Sequence, residues 1–200
     1  TGWEETKTQL MKLTTWEVGV LLALFLVNYL FRGLRWHIFA RRLGLPTGLW
    51  QDIRHFLGGF AMSVTPGRVG ELIRMRWLKR ETGWAFERTA PLVLVDRASD
   101  LAAMAVILGV ALALSAGGIA FAVPVTVLAF VAAIVVTRPT LFKAVVTYSY
   151  KATGLFPRLM GRLRIASRSL ARFTNPTVLA LAAGLGIIGW LAEGYAFHLL

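Results

Sequence analysis

The sequence predicts an all-α integral membrane protein, a polytopic helical bundle, and three observations carry that prediction. Hydrophobic residues make up 56% of the 200 positions and charged residues only 16%, with a mean hydropathy of +0.63. The apolar residues fall in runs long enough to cross a bilayer, about 17–25 residues each. The basic residues collect between those runs. The expected spans are about residues 15–34, 91–115, 119–137 and 177–200, with a re-entrant hairpin at about 51–66 and a basic amphipathic cytoplasmic segment. Together they form one domain over 1–200, read as an excerpt of a longer chain because residue 1 is Thr and residue 200 lies inside an apolar run.

The first apolar run, residues 18–31, contains one polar residue, Asn28. To cover the hydrocarbon core it must begin near Thr14, which brings Glu17 to the interface. Trp16 and Trp36 flank the span at the depth of the aromatic belts, and Arg35 stands with Trp36 at the interface. Arg32, Arg35, Arg41 and Arg42 mark this end as cytoplasmic.

Residues 55–64 are apolar but too short to span. Arg54 precedes them, and Arg68, Arg74, Arg76, Lys79 and Arg80 follow. Basic residues on both sides imply that the segment enters the membrane and returns. Such a turn is tolerated only where its backbone is buried in protein or lines a wet cavity. Pro66-Gly67 supplies the break, because proline cannot continue the hydrogen-bond ladder and glycine accepts unusual backbone angles. Gly70 allows close approach as a new helix begins at about Glu71.

Pro91 suits a first helical turn at the start of the second span. Gly117-Gly118 turns the chain into the third. The stretch 138–172 then holds eight Lys/Arg and no acid, the strongest topological signal, which assigns it to the cytoplasm. Within it Leu141, Val145, Tyr148, Ala152, Leu155, Leu159, Leu163, Ala166, Leu170 and Phe173 recur at helical steps, broken near Gly154 and Pro157. This stripe reads either as an interfacial helix attracting anionic headgroups or as a connector obeying the positive-inside bias.

A formal net charge of +12 does not indicate a nucleic-acid partner, because the basic residues lie between apolar runs. Cysteine is absent, so no disulfide framework and no thiolate metal site is expected. The Gly residues at 67 and 70 lack the Lys-Ser/Thr of a nucleotide-binding loop, and no Gly-x-Ser-x-Gly occurs. Asp96-x-x-x-Asp100 lacks the second carboxylate cluster that a magnesium-dependent lipid transferase requires. No cofactor, no metal and no catalytic residue is expected.

Charges at membrane depth cost roughly 2.5–3.5 kcal/mol each on the insertion scale, so they mark candidate sites. Asp96 and Asp100 share a helical face, and Arg97 and Asp100 form an i,i+3 pair. They either pin the helix near the interface or line a cavity in which Arg97 meets a phosphate, with Arg68 and Arg74 converging from the hairpin. Glu71 either caps a helix or partners Arg68, Arg97 or a substrate amine. Glu193, the only ionisable residue in the middle of the last span, should point inward, and Gly184, Gly186 and Gly189 should permit close packing.

Arg35-Trp36, then Pro66-Gly67-Arg68-Val69-Gly70-Glu71 with Arg74 following, then Asp96-Arg97-x-x-Asp100, resembles the lysylphosphatidylglycerol synthase transmembrane-region family, also called flippase-like domain proteins. The resemblance covers about residues 18–200; the family often has Glu where this chain has Asp96. It implies a prokaryotic inner-membrane protein, with basic loops cytoplasmic, that flips a phospholipid or lipid-linked headgroup. The polar path would run through Arg68, Glu71, Arg74, Asp96, Arg97, Asp100 and Glu193. The implied partners are anionic or aminoacylated phosphatidylglycerol or a polyprenyl-phosphate lipid, a lipid-modifying or glycosyltransferase enzyme, and further copies of the chain. Fused family members carry a soluble synthase domain; no such segment is seen in these residues, so its activity is not carried over. The alternative is a non-transporting subunit that anchors or regulates such an enzyme.

Overall fold

The computed structural model describes residues 2–4, 7, 11, 13–62, 69–114, 122–138, 140–141, 143–145, 147–148 and 170–199, and among them there is no strand. Six helices carry the architecture: α1 Thr15–Leu43, α2 Leu49–Ala61, α3 Val69–Thr82, α4 Phe86–Leu114, α5 Ala122–Thr137 and α6 Pro176–Leu199. A short 3-10 turn, Ala171–Phe173, precedes α6.

Helix α1 begins where the sequence places it. Thr14 is the N-cap and exchanges hydrogen bonds with Glu17 in a capping box. It does not end near residue 34, however, but continues to Leu43 because no breaker intervenes before Gly44. That glycine takes φ 87, and the Gly44 and Leu45 amides close on the carbonyls of Arg41 and Ala40 at 3.0 Å each. Only glycine adopts this left-handed cap without strain. Arg172 Nη1 donates to the Leu43 carbonyl at 2.6 Å, which satisfies another end group.

Over residues 18–35 the side chains of α1 are arranged opposite to those of a helix on a water-soluble protein. Val18, Leu22, Leu26, Leu30 and Leu34, four apart, are all exposed, whereas Asn28, Arg32 and Arg35 are buried. Apolar outside and charged inside is the order a bilayer selects, since lipid tails solvate leucine and exclude guanidinium. Helices α1 and α6 are each long and apolar enough to cross a membrane. At 1.5 Å per residue they measure about 43 and 36 Å.

Helix α2, 13 residues long, falls short of a span and packs against both α1 and α3. A Cβ on Gly70 would stand 1.9 Å from the Gly59 carbonyl oxygen, and one on Gly59 would stand 3.0 Å from the Gly70 carbonyl. The α2–α3 pair therefore meets backbone to backbone, and Gly70 has the role its sequence position suggested. Pro66, Gly67 and Arg68 lie outside the described residues, as do Gly117-Gly118 and the stripe from 149 to 169.

Pro91 does not occupy a first turn. Helix α4 starts five residues earlier, at Phe86, with Pro91 inside it. So near the N-terminus the missing amide forfeits one bond, to the Glu87 carbonyl. The preceding turn is held by the Thr89 hydroxyl, which donates to Phe86 at 3.2 Å, and by Arg88, stacked 3.6 Å over the Trp84 ring. Helix α5 covers 16 residues and packs on α4. Helix α6 packs on α1 and α4. Trp36, Phe39, Leu43, Phe56, Leu78, Leu92 and Phe173 form the apolar core where α1, α2, α3, α4 and the 3-10 turn converge.

Candidate functional site

On α1, Asn28, Arg32 and Arg35 recur at i, i+4 and i+7, so they line one face over about 10 Å. That face meets the acidic face of α4 and the glycine-bearing face of α6. Arg35 is fully buried. Its Nη2 donates to Asp96 Oδ1 at 2.6 Å and to Asp100 Oδ1 at 2.7 Å, and its Nε donates to Asp96 Oδ1 at 3.0 Å. Arg32 Nη2 donates to Asp100 Oδ2 at 2.8 Å, and Arg97 Nη1 reaches the same oxygen at 3.3 Å. Trp190 Nε1, from α6, donates to Asp100 Oδ1 at 3.3 Å. Asp100 thus gathers four donors from three helices.

Arg74 arrives from α3. Its guanidinium carbon lies 4.5 Å from the ring centres of both Trp36 and Phe56, and the side chain is buried. It stands close enough to act on the charge of Asp96, as do Arg97 and Arg32. Four guanidiniums therefore surround two carboxylates. Further along, Asn28 Nδ2 donates to the Glu193 carboxylate and ties α1 to α6.

Glycine clears the wall opposite these groups. A Cβ on Gly186 would meet Arg35 Nη1 at 2.9 Å and Ala103 Cβ at 3.1 Å, and a Cβ on Gly189 would meet Asn28 Oδ1 at 2.9 Å. Gly184, grouped with them by sequence, has nothing within 4 Å and serves no such approach. Arg35 Nη1 and Arg32 Nε are buried donors with no hydrogen-bond partner among the described residues.

Arg35 and Trp36, expected at the membrane interface, are completely buried within the bundle. Their position along α1 turns them toward α3 and α4, where Asp96 neutralises Arg35 and Arg74 stacks on Trp36. Trp16 is exposed near the start of α1. The structure brings Arg74, Asp96, Arg97 and Asp100 together, and it joins Glu193 to α1 through Asn28. Arg68 lies outside the described residues, and the Glu71 side chain is likewise not described. Sequence reasoning missed Asn28, Arg32 and Trp190 as members of the cluster. The i, i+4, i+7 recurrence of Asn28, Arg32 and Arg35 was the available signal; reading the arginines only as topology markers concealed it.

Two histidine–carboxylate pairs fasten the α2–α3 pair. His37 Nδ1 lies 2.6 Å from Asp52, joining α1 to α2, and His55 Nε2 lies 2.9 Å from Glu81, joining α2 to α3. Gln51 also donates to Glu81, and this hydrogen bond is the main reason that the Glu81 carboxyl titrates below its ordinary range. Among the described residues no group of three His, Cys, Asp or Glu could hold a metal ion.

A bundle with apolar residues outward and an ionic network inward is a helical integral membrane protein. Residues 1–200 match the lysylphosphatidylglycerol synthase TM region, and the chain belongs to that family, whose members are integral membrane proteins associated with lipid handling. Comparison with curated proteins and with solved structures finds no match.

Proposed function

We propose that the protein translocates a phospholipid or lipid-linked headgroup across a prokaryotic inner membrane, with its basic loops on the cytoplasmic side. The observation that carries this reading is the excess of buried cationic donors at the α1–α4–α6 junction. Arg32, Arg35, Arg74 and Arg97 face Asp96 and Asp100, and Arg35 Nη1 and Arg32 Nε have no hydrogen-bond partner among the described residues. A guanidinium is a planar donor matched to phosphate and stays protonated in a dry site. A phosphate entering beside Gly186 and Gly189 would add acceptors where donors outnumber them. Asn28 and Glu193 extend the polar face along α1 and α6, so a headgroup moves between hydrogen-bonding groups while its tails stay against the leucine stripe. Arg68, which precedes Val69 in the sequence, and Glu71 are assigned by this proposal to the mouth of the path. Exchange is passive or gradient-coupled, and the chain performs no covalent chemistry.

The test is headgroup accessibility in proteoliposomes. Tail-labelled phosphatidylglycerol, its lysyl ester and a polyprenyl phosphate are reconstituted with the parent protein, Arg68→Ala and Asp96→Asn. A membrane-impermeant reagent then reports the leaflet each lipid occupies. Protein-dependent exchange that both substitutions abolish in folded samples supports translocation. Absence of exchange for all three lipids with the folded parent overturns it, and loss of a co-purifying enzyme in the variants would point to the anchoring subunit instead.

A further inference from the structure

The outer side of the α2–α3 pair carries a second cationic cluster, separate from the buried network. A cleft of about 460 Å³ is lined by Arg54, His55, Gly58, Trp77, Arg80 and Glu81. We propose that this cleft is a binding site for a phosphate ester, independent of any translocation path.

Charge is the first argument. Glu81 is already occupied by Gln51, His55 and Arg54, the last at 3.6 Å. Arg80 is exposed and forms no ion pair among the described residues. Two guanidiniums against one committed carboxylate leave a surplus positive charge facing the cleft. The Arg54 side chain, 71% exposed, can turn from Glu81 to a stronger acceptor without unburying anything. Phosphate supplies such an acceptor, because its oxygens take paired hydrogen bonds from the guanidinium fork.

The second argument is a buried donor or acceptor with nothing to bond. His55 is 2% exposed, and its Nδ1 has no hydrogen-bond partner among the described residues. That nitrogen is itself sealed from solvent, so a ligand oxygen relieves the cost of leaving it unpaired only when the ring turns toward the cleft.

Shape is the third. A Cβ on Gly58 would come within 2.7–2.8 Å of the Trp77 ring, so glycine there lets the edge of the indole pack against α2. The Trp77 ring sits 6.2 Å from the His55 ring, tilted by 31°, and forms an apolar wall beside the two arginines. From Arg54 the same face of α2 continues through exposed Leu57 and Ala61, three and seven residues on. A glycerol and acyl chain attached to the phosphate would run along that stripe, so a phospholipid fits the whole surface and a soluble phosphate ester fits only its polar end.

The experiment uses the purified full chain in detergent, analysed by native mass spectrometry with phosphatidylglycerol, phosphatidylcholine or glycerol 3-phosphate added. Arg54→Gln/Arg80→Gln is compared with Arg41→Gln/Arg42→Gln, which removes the same charge from exposed positions at the end of α1. The expected result is one retained phosphate ester whose affinity falls about tenfold or more in the Arg54/Arg80 variant and stays unchanged in the control. Gly58→Ala, which displaces Trp77, is expected to weaken the same binding. Retention of phosphatidylglycerol that glycerol 3-phosphate does not mimic identifies a lipid headgroup; binding of glycerol 3-phosphate alone identifies a soluble ester. Equal retention by the parent and the Arg54/Arg80 variant, or equal loss in the control, overturns the site. Unchanged thermal unfolding of the variants establishes that the difference is in binding.

Discussion

Replacing Arg35 with methionine should destabilise the bundle more than any single loss from its surface. Every side-chain hydrogen bond described for Asp96 comes from Arg35, at 2.6 and 3.0 Å, and Asp96 is 1% exposed. Methionine fills much of the same space but leaves that carboxylate buried without its partner, a situation that costs about 3–5 kcal/mol. Asp100 is less affected, since Arg32, Arg97 and Trp190 still reach it. Arg35→Met/Asp96→Asn removes both charges, so the double variant should recover about 2–3 kcal/mol relative to the sum of the single losses. Unfolding free energies from denaturing-detergent titrations in mixed micelles, followed by tryptophan fluorescence, supply the cycle. If Arg35→Met lies within about 1 kcal/mol of the parent, or the double variant equals the sum of the singles, the pair is not a desolvated ion pair.

Arg35→Lys keeps the charge but removes the fork that serves two carboxylates at once; about 1.5–3 kcal/mol of stability should go, and lipid exchange should fall with it in proteoliposomes. Gly70→Ala and Gly186→Ala should each cost about 1–3 kcal/mol by overpacking, whereas Gly184→Ala, with open space around its Cβ, should be neutral in the same titration. The Glu81 carboxyl is held below its ordinary range by the Gln51 hydrogen bond, so its contribution is fully present above that range and disappears as pH falls through the depressed folded-state value. Acid titration of thermal unfolding should therefore be shallower in Glu81→Gln than in the parent.

Much of the helix order could be read from composition and punctuation because each signal was local. Thr14 and Glu17 form a capping box three residues apart, and the final apolar run, 177–200, overlaps α6, Pro176–Leu199. The acidic face of α4 followed from i,i+3 and i,i+4 spacing alone. What escaped was partner choice between helices. Arg35 looks the same in sequence whether it snorkels to an interface or meets Asp96, 61 residues away. Only the rotation of α1, set by packing Gly186 and Gly189 against its polar face, decides between these. The start of α4 escaped for a different reason: proline near a helix end is compatible with two registers, and the Thr89 and Arg88 contacts select the earlier one.

The arrangement of charge around Asp96 and Asp100 also bears on why this network is built from arginine. A buried ion pair with balanced charges often adds no more stability than apolar residues of the same volume. Here the pairing is unbalanced, with donors on Arg35 and Arg32 left unbonded beside a wall from which glycine has removed the side chains. Stability alone does not favour such a surplus, because each unbonded buried donor is a cost. The proposed headgroup path accounts for the surplus, since an anion that binds and leaves requires donors that are not already spent on fixed partners.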